Sequence, residues 1–166
     1  MLKLRGFSLP IALTVLLAVA VGCKSVDDER IPVAPVKVDF VNVGSWNAYG
    51  VGGALDYRKF IKSERIPAGF PYTAMMATGF GGVLLVCGYE GEFKAYDLAC
   101  PVERKNNVRI NVDADAHVGV CPVCHSTYDI YRFGSPLSGV AAENGYGLTR
   151  YNVGPGPAGE YMVISR

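Results

Sequence analysis

Histidine is scarce in this chain: two in 166 residues, His117 and His125. That leaves little imidazole for a metal centre. Basic surplus is absent as well, because the formal net charge is +1, and nucleic-acid grooves are strongly basic. Only one long apolar run occurs, Phe7–Val21, and it falls short of the roughly 20 residues that span a bilayer. Gly79-Phe-Gly-Gly82 lacks the lysine and following helix of a phosphate loop. No nucleophile–base pair stands out, so the sequence favours a non-enzymatic role without deciding it. No internal repeat or low-complexity segment is expected either.

What the first residues do hold is an export pattern. Lys3 and Arg5 precede the apolar run, and Ala20-Val21-Gly22-Cys23 follows it. That tetrapeptide resembles a bacterial lipobox, whose cysteine becomes the lipidated first residue. Residues 1–22 are therefore read as a signal peptide and Cys23 as the lipidation site. Residues 23–36 are read as a lipidated tether and residues 37–166 as one domain. Losing Lys3 and Arg5 turns the net charge from +1 to −1. Pro32 and Pro35 hold the tether extended, and at about 3.1 Å per residue it stands the domain tens of ångströms off the membrane. Asp27-Asp28-Glu29 resembles the acidic signals that send some lipoproteins to the cell surface. The expected location is the bacterial outer membrane or cell envelope, lipid-anchored, either periplasmic or surface-exposed. The expected partners are the membrane, through the lipid, and another envelope protein.

Beyond the tether, apolar residues follow period two more often than 3.6. Strands are predicted at Val36–Val43, Gly82–Gly88, Glu92–Asp97, Val108–Val112, Val118–Cys121, Tyr128–Arg132, Leu148–Val153 and Tyr161–Ser165. Hairpin turns are predicted at Gly88–Gly91 and Asp113–Ala116. Leu55–Glu64 is charged and non-alternating, which suggests a short helix or an ordered loop. With 20 Gly and 10 Pro as punctuation, these short strands point to an all-β antiparallel sandwich or small barrel. Trp46, Tyr49, Tyr57 and Tyr72 suit either a sugar-binding face or the core, and scattered aromatics in a β-rich chain belong to the core more often.

The chemistry lies in Cys100, Cys121 and Cys124. Their spacing, with Glu103, matches a zinc frame of the C-x2-C-x15–20-C-x2-C kind in which a carboxylate replaces one thiol. Three thiolates with Glu103 or His125 complete a tetrahedral site. Cys121-x-x-Cys124-His125 also satisfies the attachment motif of c-type haem. Cys87, in an apolar run, reads as a small buried hydrophobe. Asp97 and Asp129 end strands beside the thiol boxes, where aspartate usually caps a turn.

The flanks carry a family likeness. Ala95-Tyr96-Asp97 leads into Cys100-Pro101, and Cys121-Pro122 is followed by Ser126-Thr127-Tyr128-Asp129. Gly134–Gly139 and Tyr151-Asn152-Val153 continue the pattern. From Phe93 to Val153 the chain resembles the Rieske [2Fe–2S] domain family. The resemblance implies a small antiparallel β domain with two Cys-bearing tip loops. It also implies one iron on two thiolates and one on two imidazoles. Here Val102 and Cys124 stand at the two histidine positions, so the resemblance is to a degenerate member that has lost the usual cluster. The preferred expectation is no cofactor, with Cys100 bridged to Cys121 or Cys124 by a disulfide, which suits an exported chain. A metal site on Cys100, Cys121, Cys124 and His125 is the other, with zinc, [2Fe–2S] and haem c as candidate groups. The first makes the domain a binding or assembly module; an iron centre makes it an electron carrier.

Overall fold

The structure is a computed structural model that describes residues 25–166; the expected signal segment 1–22 and the expected lipidation site Cys23 lie outside the described residues. In chain order its elements are β1 (Val36–Phe40), α1 (Val43–Tyr49), β2 (Tyr57–Phe60), a 3-10 turn (Lys62–Glu64) and β3 (Ala77–Thr78). Then come β4 (Val83–Cys87), β5 (Phe93–Asp97), β6 (Asn111–Asp113), β7 (Val118–Val120) and β8 (Thr127–Asp129). The chain closes with β9 (Ser135–Ser138), α2 (Gly139–Asn144), β10 (Arg150–Gly154) and β11 (Met162–Ser165).

The strand order is β2-β4-β5-β10-β11-β1-β3 in a seven-stranded sheet and β6-β7-β8-β9 in a four-stranded one. All their pairings are antiparallel. The expected all-β class is therefore the observed one. Strand β4 shows how the sequence specifies the arrangement. It is apolar and buried at every position, and its period of two serves two cores at once. Val83, Leu85 and Cys87 enter one core with Phe40, Trp46, Phe60 and Phe70. Leu84 and Val86 enter the other, with Tyr96, Leu98, Ile110, Tyr128, Cys100 and Cys121. The thiol loops thus grow out of the second core. Trp46 is buried in the first, with Tyr49 and Tyr72 packed against it, so these rings are core residues rather than a sugar platform.

Several expectations shift. Leu55–Glu64 holds strand β2 as well as the short 3-10 turn Lys62–Glu64; the register of β2 with β4, Tyr57 opposite Val86 through Phe60 opposite Val83, overrides the weak local signal there. The first predicted strand stops at Phe40 because Asn42 caps α1, its side chain accepting the Ser45 amide at 2.9 Å. Strand β6 begins three residues later than predicted, since Cys100 and Ile110 first exchange bonds with the chain on either side: Cys100 N–H to Val108 O at 2.9 Å and Ile110 N–H to Leu98 O at 2.8 Å. Both predicted turns form, with Gly91 at φ +86° and Asp113 Oδ1 accepting the amides of Asp115 and Ala116.

Residues 27–31 do not stand free as an extended tether. Asp27 pairs with the end of α2, its amide donating to Gly145 O at 2.7 Å and its carbonyl accepting from Gly147 at 2.8 Å. The Asp28 carbonyl accepts the buried Thr149 hydroxyl at 2.6 Å, and its carboxylate pairs with Arg150 at 2.7 Å. The Arg30 guanidinium lies 3.9 Å from the Tyr146 ring centre, and Ile31 is buried. Acidic residues that read as a solvated linker are used instead as partners for the edge of the domain.

Candidate metal centre

Two loops build the site, and each starts from a strand end. At the end of β5 the Asp97 carboxylate gathers four donors. Oδ1 accepts the amides of Gly81 at 2.9 Å and Ala99 at 2.7 Å; Oδ2 accepts the Phe80 amide at 2.8 Å and the Tyr151 hydroxyl at 2.6 Å. The Asp97 carboxylate is thus the turn cap that its position predicts. It sends Leu98–Cys100 inward, with Ala99 bridged to Arg109. The second loop leaves β7 and returns as β8, closed by Cys121 N–H to Ser126 O at 3.0 Å.

Each loop turns in the same way. The Arg104 amide donates to Cys100 O at 2.9 Å, and the His125 amide to Cys121 O at 3.1 Å. Arg104 and His125 have φ of 55° and 56°, a left-handed conformation uncommon for residues with a side chain. Cys100-Pro101-Val102 and Cys121-Pro122-Val123 are the same tripeptide. The two loops thus form a short local repeat, signalled in the sequence by the matching triplet alone.

The three sulfurs of Cys100, Cys121 and Cys124 lie within 4.8 Å of one another. Cys100 Sγ is 3.7 Å from Cys124 Sγ and 3.6 Å from the Tyr128 hydroxyl. Cys124 Sγ is 3.4 Å from Ser126 Oγ, which also accepts the Ala141 amide at 3.1 Å and so ties α2 to the loop. Burial pushes the Cys100 thiol up to about 12, although the amides of Glu103 and Val102 and the Tyr128 hydroxyl act against it. Burial also raises Cys124, but the Ser126 hydroxyl and amide and the two neighbouring thiols outweigh it, leaving that thiol below its ordinary value.

All three predicted cysteines are thus brought together. The thiols are unbonded here, against a disulfide length of about 2.05 Å, and are free like the buried Cys87. His125 is exposed and stands outside the sulfur group. His117 sits near Tyr131, ring centres 6.4 Å apart, and also lies outside it. For c-type haem the fit is poor, because Cys121 is buried against Cys100 while His125 faces solvent. Ser126 and Tyr128, which brace the sulfurs, were legible only as parts of the flanking motif.

The fold is similar to the ferredoxin of carbazole 1,9a-dioxygenase from Nocardioides aromaticivorans IC177, with a TM-score of 0.39 and 12% identity. The likeness covers 80% of this chain and 96% of that one. A likeness so distant carries no argument about activity. No family model matches the sequence, and no curated protein matches it either.

Proposed function

We propose that this protein is an envelope lipoprotein, anchored by a lipid on Cys23, whose Rieske-like domain serves as a binding or assembly module for another envelope protein. Its tip has exchanged the usual cluster for a zinc-like ion on Cys100, Cys121 and Cys124, with one further donor. The observation that carries the metal part of this reading is the convergence of three sulfurs from two loops within 4.8 Å.

Tetrahedral zinc with Zn–S near 2.3 Å sets its sulfurs about 3.8 Å apart, and the Cys100–Cys124 separation is 3.7 Å. A disulfide would use two of the three sulfurs and strand the last one in the core; an ion employs all of them. A Rieske centre needs two imidazoles, and among the described residues no histidine joins the sulfur group, so that centre does not fit. When bound, the ion supplies a cross-link between loops. The chain's own part is to hold the sulfurs at the right spacing, direct amides at Cys100 and keep water from Cys121.

The test is metal analysis, a visible spectrum and thiol titration of the full chain extracted in detergent without chelator or reductant. Stoichiometric zinc in a colourless protein is the expected result. A Soret band or broad visible absorbance would overturn it in favour of electron transfer by haem or an iron–sulfur centre. A metal-free protein with two thiols missing would replace the ion by a disulfide. The mass of the N-terminal peptide reports the lipid on Cys23 independently.

A further inference from the structure

The two loops at the thiol site are one turn built twice. Cys100-Pro101-Val102-Glu103-Arg104 and Cys121-Pro122-Val123-Cys124-His125 begin with identical triplets. Each closes by an amide of the fifth residue onto the carbonyl of the first, and each places that fifth residue at the same positive φ. Position for position, Glu103 therefore answers to Cys124, and Arg104 to His125.

Cys124 provides one of the grouped sulfurs. Its counterpart Glu103 is half-buried, and its carboxylate has no hydrogen-bond or ion-pair partner among the described residues. A carboxylate without a partner thus occupies the turn position from which the other loop supplies a sulfur. As the side chains stand, the Glu103 carboxylate lies outside the sulfur group, so coordination requires it to turn inward about its own side-chain torsions. Carboxylate oxygen is an ordinary zinc donor beside thiolate.

We infer that Glu103 is the fourth ligand of the metal centre, so that each Cys-Pro-Val turn contributes two donors to one ion. This rests on the three-thiolate reading above. It assigns the fourth position to the turn symmetry and leaves His125, the adjacent imidazole, outside the coordination sphere.

Cobalt(II) titration of the full chain in detergent tests it, because thiolate-to-cobalt charge transfer reports the number of sulfur ligands and the visible bands report tetrahedral geometry. Glu103→Ala should lower cobalt and zinc affinity by about tenfold or more, with the metal-free melting temperature unchanged. Glu103→Cys should raise the charge-transfer intensity above that of the parent and bind zinc more tightly. His125→Ala should bind like the parent. Parent-like binding by Glu103→Ala, or weakened binding by His125→Ala, overturns the inference while leaving the three-thiolate centre standing. Failure of the parent itself to take up cobalt or zinc overturns that centre and the inference with it.

Discussion

Arg104 and His125 adopt the same left-handed conformation, at φ 55° and 56°, and each donates its amide to the carbonyl of the cysteine four residues before it. That equivalence brings sulfur atoms from two loops to one point. It also means that the site depends on backbone support from the second core, which makes the following outcomes measurable.

Gly119 in β7 has no room for a side chain: a Cβ there would meet Ile110 and Ile130 at 2.7 Å each. Gly119→Ala should destabilise the domain by about 1–3 kcal/mol through overpacking. Because Cys121 follows two residues later, zinc uptake should weaken with it. Denaturant melts and metal titration of the same variant check both effects.

The Asp97 carboxyl is held above its ordinary value, chiefly by burial, with the donors Tyr151, Ala99, Phe80 and Gly81 offsetting part of the shift. The folded state therefore binds this proton more tightly than the unfolded chain does. Its stabilising contribution is complete below the unfolded value of about 3.9 and is lost as pH rises through the folded value. Asp97→Asn turns an amide donor toward backbone donors and should cost about 2–4 kcal/mol. The stability difference between parent and variant should shrink as pH rises through that window. Urea unfolding across a pH series measures it, and a difference that grows with pH would contradict the assignment.

Ser126→Ala removes the hydroxyl that lies against Cys124 Sγ and accepts the Ala141 amide. The Cys124 thiol should then titrate higher, since that hydroxyl is among the groups that lower it. Alkylation of the metal-free protein should begin at higher pH than in the parent. The unpaired amide should cost about 1–2 kcal/mol.

The strap formed by residues 27–31 rests more on Thr149 than on charge. Thr149→Val loses the buried hydroxyl bond to Asp28 O and should cost about 1 kcal/mol. Asp28→Ala breaks a half-exposed ion pair with Arg150, which is worth at most about 0.5 kcal/mol. Hydrogen exchange of residues 25–31 should quicken more in the first variant than in the second. Equal, parent-like exchange in both would show that the strap is held by other contacts.

Much of this was legible in the residues. Val83–Cys87 reads as a strand because five apolar residues in a row between glycines suit a strand covered on both faces. The turns at Gly91 and Asp113 follow from glycine's access to positive φ and from aspartate's short side chain. Strand β2 was not legible, because Tyr57-Arg58-Lys59-Phe60 has no strong period of its own and takes strand geometry from pairing with β4. Helix α2 escaped for the same reason. It spans only Gly139–Asn144, too short to show a period, and its start is tied down by Ser126 from another loop.

The sequence by itself determined the β class, the two Cys-Pro loops and the scarcity of histidine, since these rest on local composition, spacing and residue identity. Only the tertiary structure decided that three sulfurs meet while His125 stays outside, and that the acidic segment after Ser25 packs on β10 and α2. Those outcomes depend on where two cores hold distant strands. Contacts such as Cys100 with Cys124, or Asp28 with Thr149, join residues far apart along the chain, and no pattern within either segment encodes them.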